Sequence, residues 1–261
     1  MPSLKYSYKR NVSPRRDPHP LRAMTARLAA DGLVRRQNQS TLDDGWKTRF
    51  KNAVNQMVAQ GNYRRIALIH ADMDHRMHSM NGIVGTYRFL SWHRIYLVKF
   101  EAELRLLDDT LFVPYWDWIN DRGVPAWLDD LLPQGLTDLN GNPIDVSRAP
   151  GEDPDTPDLP TQTDLDAVNS QTQYVPFTRA LEGIHNTVHN WVGGIMSDIM
   201  YSPCDPVFWM HHAFIDRAWT LWQVPNPGQA PPLSGADRVM DPWAESLDDS
   251  LDAAGLGYAY D

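Results

Sequence analysis

A chain of 261 residues with 42% hydrophobic content is long enough to bury one large core, and neither an internal repeat nor a second compositional regime divides it. Its formal net charge of -9 argues against nucleic acid or an anionic membrane as partner, because both reward positive surface. No apolar run of about 18 residues offers a membrane span, and a single cysteine excludes an internal disulfide, which suits a reducing cytoplasm.

The first residues, from Met1 through Arg10, lack the apolar stretch of a secretory signal. Arg15 and Arg16 are followed by the polar Asp17 and His19, so the pair is not read as a twin-arginine export signal. The expectation is a cytoplasmic protein, with partner-assisted export left open. Residues 1–33 are read as an N-terminal extension and 34–261 as one catalytic domain.

Five helices are expected. Ser40 and Thr41 with Asp43 and Asp44 read as a cap, after which Leu42, Trp46, Phe50, Val54 and Met57 recur at helical spacing until Gly61 and Asn62. A second helix runs from Tyr63 to about Met77, placing His70 at the border of an apolar face. A third runs from about Trp92 to Leu107, with His93 at its start. The fourth aligns Leu181, His185, Val188, His189 and Val192 on one face and stops at Gly193 and Gly194. Asp205 and Pro206 open the fifth, which places His212, Ile215, Trp219 and Trp222 together. Residues 149–163 and 224–237, rich in proline, glycine and acid, read as surface loops. The fold class expected is mainly α: a single domain whose central four-helix bundle holds a dinuclear metal centre, with long surface loops.

Histidines carry the chemistry. Of nine, only His19 lies outside two groups: His70, His75, His78 and His93 upstream, and His185, His189, His211 and His212 downstream. A lone histidine is most simply a satisfied core or surface residue, but random placement would scatter nine. Residues 185 and 189 lie one helical turn apart on one face, and a second helix bearing 211 and 212 can complete a three-imidazole site. Imidazole suits copper, zinc, iron and nickel. No Glu-x-x-His repeat of the di-iron bundles accompanies these histidines. The glutamate of the His-Glu-x-x-His zinc proteases is also missing between His185 and His189. Neutral all-histidine ligation favours cycling between cuprous and cupric states, and copper is the expected metal.

The downstream motif, with His185, Asn186, His189, Trp191 and Gly193–Gly194, then Pro203, Asp205–Pro206, Phe208–Trp209, His211–His212, Asp216 and Trp219, resembles the copper B half of tyrosinases and catechol oxidases, the type 3 copper proteins. Phe89 to Glu101 is similar to their copper A helix, Val113 to Trp118 to the segment after it, and Tyr258 with Tyr260 to the tyrosine pair that closes the catalytic domain in plant and fungal members. The matches run from about Val34 to the end. The resemblance implies two copper ions with dioxygen as co-substrate. It also implies a small phenolic or aminophenolic substrate and, as a partner, a copper-delivering caddie protein. Cys204 does not sit where relatives carry a cysteine linked to a copper A histidine, so that thioether is not expected.

By the resemblance, copper B takes His185, His189 and His212, with His211 turned aside, and copper A takes His70 and His93. The third copper A ligand is open. Relatives place it nine residues before the histidine at 93, and here that position is Val84. His78 replaces it if an extra loop of about six residues, bent at Asn81 and Gly82, precedes Phe89; His75 is the alternative, and a two-histidine copper A the third. Glu182 and Asn186 are candidates for holding a water that deprotonates a phenol, whose pKa near 10 calls for a base at neutral pH; otherwise Glu182 is a solvated helix residue. Ile199 and Met200 are expected at the pocket entrance and Phe208 against a ligand ring. Asp205 and backbone carbonyls are candidates to fix the second nitrogen of each imidazole, and Trp191 and Trp209 are read as core packing. The reading is a dicopper oxidase of o-diphenols or o-aminophenols that can also hydroxylate monophenols. The rivals are a haemocyanin-like oxygen binder and a homologue with a degenerate copper A site.

Overall fold

The computed structural model describes residues 32–261; Arg15, Arg16 and His19, discussed above, lie outside them. Among the described residues there are seven α-helices and one two-stranded sheet, and no helix is long and apolar enough to cross a membrane. Helix α1 (Asp44–Ala59) starts where Asp43 accepts from the Trp46 N–H at 2.7 Å, so Asp43 is the cap and Ser40 and Thr41 sit in the short turn before it. Its buried face, with Trp46, Phe50, Val54 and Met57, is the one the helical spacing predicts.

The second expected helix is a correction. Only Asn62–Ala67 is α-helical (α2), and three separate 3-10 turns follow, at Leu68–Ala71, Met73–His75 and Ser79–Asn81. The Asp72 carboxylate accepts from the Asp74 N–H at 3.0 Å, a local bond that competes with helix. Arg76 then adopts a left-handed conformation, φ 48°, that no helix continues through. The third helix is corrected the other way: α3 (Ile83–Leu107) begins nine residues before Trp92, so His93 lies within it and most of the supposed extra loop is helix.

Helices α4 (Gln162–Asn169), α5 (Tyr174–Val192), α6 (Val207–Gln223) and the short α7 (Leu247–Ser250) complete the set. Helix α4 starts at the end of the loop expected over 149–163. Buried α3 packs against α1, α5 and α6, and the turn after α2 closes the remaining side by setting His70 against Tyr96 and Phe208. Trp209 stacks on Phe100 at 3.9 Å and is core packing; Trp191, half-buried, lies against Gly151.

The two ends of the described part meet. Strand β1 (Val34–Arg36) pairs in parallel with β2 (Tyr258–Tyr260). Arg36, fully buried, donates to Glu101 at 2.9 Å and lies 3.6 Å above the Tyr258 ring. Asp216 on α6 accepts from Tyr258 and Tyr260 at 2.6 and 2.7 Å, and also pairs with Arg94 and Arg36. Burial pushes the Asp216 carboxyl up, but Arg94 and Arg36 outweigh that and hold it below the usual carboxylate range. One polar cluster therefore ties both strands to α3 and α6.

Candidate metal centre

Two groups of imidazoles meet in the core. His70, from the 3-10 turn after α2, has its Nε2 3.0 Å from that of His78 and 3.3 Å from that of His93. On the other side, the Nε2 of His212 lies 3.1 Å from that of His185 and 3.3 Å from that of His189. The groups share one chamber: the rings of His93 and His212 stack at 4.5 Å. All six histidines are buried.

Their second nitrogens show what the converging ones are. The carbonyl of Phe89 lies 2.7 Å from His93 Nδ1, and that of Met196 2.7 Å from His189 Nδ1. Carbonyls only accept, so each Nδ1 carries the hydrogen and each Nε2 presents a lone pair. The Asn186 side-chain oxygen, 3.0 Å from His185 Nδ1, has the same effect there. His70 Nε2 faces two neighbouring nitrogens, yet one hydrogen can serve only one of them. A cation between them would satisfy lone pairs packed this closely, and neutral nitrogen donors with no carboxylate suit copper. The residues therefore fit two copper ions.

Burial favours the neutral form of five of these rings, those of His70, His93, His185, His189 and His212. Desolvation pushes the pKa of His70, His93, His185 and His212 well below the ordinary value, and neighbouring histidines push the same way; at His70 the Ile199 backbone opposes the shift. His189 is lowered to about 4, chiefly by burial, with the Met196 carbonyl opposing. Neutral imidazole is the ligating form.

Where the sequence left alternatives, the geometry separates them. His75 lies apart from the triad, its Nδ1 2.6 Å from Asp241, while His78 reaches it; Val84 sits in the first turn of α3. His211 is close to the downstream group but its Nδ1 accepts from Trp118 Nε1 at 3.1 Å, which spends its lone pair. Asp205 holds no imidazole. It pairs with Arg148 at 2.6 Å through both oxygens and accepts from the Val207 N–H at 2.9 Å, and backbone carbonyls fix only the rings of His93 and His189. Phe208 is fully buried between the groups, 4.0 Å from the His212 ring and 5.3 Å from that of His70. Ile199 is exposed and Met200 half-buried, on the turns that follow α5.

Glu182 is not a solvated residue. It is 3% exposed, its Oε1 accepts from the Ser79 N–H at 2.8 Å, and its Oε2 has no protein partner. Asn186, one turn further along α5, is exposed. Sequence reasoning missed Phe89 and Met196, because a backbone carbonyl leaves no mark on residue type. It also missed Phe89 as a ring 4.9 Å from His185.

Known proteins share this arrangement. The model of the common central domain of tyrosinase matches residues 60–150 and 129–224. A tyrosinase from Streptomyces lincolnensis is 34% identical, over 87% of this chain and 98% of its own. Grixazone synthase from Streptomyces griseus is 30% identical, over 74% of this chain and 85% of its own. A functional unit of octopus hemocyanin superposes with TM-score 0.66 at 22% identity, covering 87% of this chain and 68% of the unit, and so shares the fold. Helices, paired histidine groups and relatives agree: this chain belongs to the tyrosinase family, whose members use a dinuclear copper centre.

Proposed function

We propose that this protein is a dicopper phenol oxidase that converts o-diphenols and o-aminophenols to quinones and quinone imines and also hydroxylates monophenols. The observation that carries the reading is the convergence of six Nε2 atoms from His70, His78, His93, His185, His189 and His212, with the exposed Asn186 beside one of them. The exposure of Asn186 supports access from solvent, which a substrate requires and a sealed oxygen carrier does not. Bound copper supplies the dioxygen chemistry: two diphenols give up four electrons and four protons, and one dioxygen becomes two waters.

The chain's own residues do the rest. Triads at His70, His78 and His93 and at His185, His189 and His212 hold the two ions, and the carbonyls of Phe89 and Met196 fix two of the ring orientations. Phe208 fills the space between the triads and excludes water there. Glu182 Oε2, buried and without a protein partner, is available to accept a hydrogen bond from a water that takes the phenol proton. Asn186 keeps its amide NH2 for that water while its oxygen faces His185. Ile199 and Met200 border the entrance.

The test begins with copper-reconstituted protein: two coppers per chain are expected, with turnover of catechol and of 2-aminophenol. Glu182→Gln should lower monophenol oxidation by about 10²–10⁴-fold, the usual worth of a positioned base, with far less effect on the diphenol. Reversible dioxygen binding without turnover of any phenol would overturn the reading in favour of an oxygen carrier, and equal losses for both substrates would remove Glu182 as the base holder.

A further inference from the structure

His78 stands on weak local structure. It precedes a one-turn 3-10 helix, Ser79–Asn81, in a segment that contains the left-handed Arg76, and no α-helix carries it. A ligand on such a segment would wander unless something outside holds it, because ligand geometry depends on the groups that fix the ligand.

Two features do so. The Ser79 N–H, one residue from the ligand, donates to Glu182 Oε1 at 2.8 Å, and that carboxylate is buried on α5, three residues before His185. The same oxygen lies 3.7 Å from His78 Nδ1, outside hydrogen-bond reach, so the grip is on the backbone and not on the ring. Beneath the segment, Gly85 on α3 lets the chain settle: a Cβ there would lie 1.8 Å from the His78 carbonyl oxygen. The Asn81 side chain and N–H close the turn on the His78 N–H and carbonyl.

We infer that Glu182 is a positioning residue for His78: its carboxylate, on the helix that carries two ligands of one triad, clasps the backbone of the segment that completes the other. The clasp answers the Val84 position. A ligand within the first turn of α3 would be held by the helix itself, whereas a ligand moved into the preceding turn needs an external tether. A buried carboxylate accepting a backbone N–H is a strong one. The inference rests on the dicopper reading above and adds to it, since it concerns Oε1 and the loading of one metal, whereas the base role concerns Oε2 and the reaction.

Copper stoichiometry after reconstitution and dialysis against a chelator tests it, with no activity measurement. Wild type should hold two coppers per chain; fewer than two would sink the dicopper reading before any variant is compared. Glu182→Ala should retain one, and its oxidised form should show the electron paramagnetic resonance of a lone cupric ion. Glu182→Gln, whose amide oxygen can still accept from Ser79, should retain two while losing monophenol oxidation. Ser79→Pro removes the donor from the other end; a proline fits the first position of a turn and the extended His78 before it. It should also retain one copper, and it carries the test if Glu182→Ala fails to fold. Two coppers in both Glu182→Ala and Ser79→Pro, with wild-type resistance to the chelator, would overturn the clasp.

Discussion

Removing copper should turn the chamber into an acid-sensitive weak point. In the metal-free protein burial favours the neutral form of His70, His93, His185, His189, His211 and His212, while in the unfolded chain each takes up a proton near pH 6.5. The unfolded state therefore binds more protons below that pH, and stability must fall as pH falls. For His189, lowered from 6.5 to about 4, the loss is absent at neutral pH and complete below the folded value. At pH 5 it amounts to about 2 kcal/mol from this one ring, by linkage between the two values. His70, His93, His185, His211 and His212 are all shifted in the same direction, so their losses add. Each therefore deepens the loss that His189 begins. Urea unfolding followed by tryptophan fluorescence, at intervals from neutral pH to about pH 5, should show the metal-free midpoint falling steeply. The copper-loaded midpoint should fall far less, because the metal competes with the protons for the same nitrogens. A metal-free midpoint that stays level across that range would refute the argument, since it would mean that the rings are already protonated or already wet.

Two further outcomes follow from the buried contacts. Asp216→Asn removes the charge that Arg94 and Arg36 share and should destabilise the fold by about 3–5 kcal/mol, the usual cost of stripping one partner from a buried ion pair; a loss under about 1 kcal/mol in urea unfolding would show that Glu101 and the tyrosines suffice. His211→Ala should keep both coppers, because its Nδ1 is committed to Trp118, and a drop to one copper per chain would show that it ligates after all.

Much of this protein was legible in its sequence, and the reason is periodicity. Histidines four apart in a helix that also carries Leu181, Val188 and Val192 have one way to face the core, so the pair His185 and His189 could be read from spacing alone. The same holds for the apolar face of α1. Motif resemblance then supplied the metal and the family.

What spacing could not decide was anything set by chain reversal or by backbone. Whether His75 or His78 joins the upstream triad depends on the chain path after α2, which ends at Ala67, ten residues before the expected end at Met77, and beyond which a local bond at Asp72 and a left-handed Arg76 turn the chain away from a helix. Helix α3 then begins at Ile83. His211 and His212 are adjacent in sequence, and only the position of Trp118, 93 residues away from His211, spends the first and leaves the second free. Glu182 reads from sequence as a polar residue on a helix, and tertiary packing alone buries it against Ser79. The last two cases share one physical reason. Side-chain pattern fixes which face of a helix turns inward, but a hydrogen bond between distant segments forms only once the whole core has brought its two ends together.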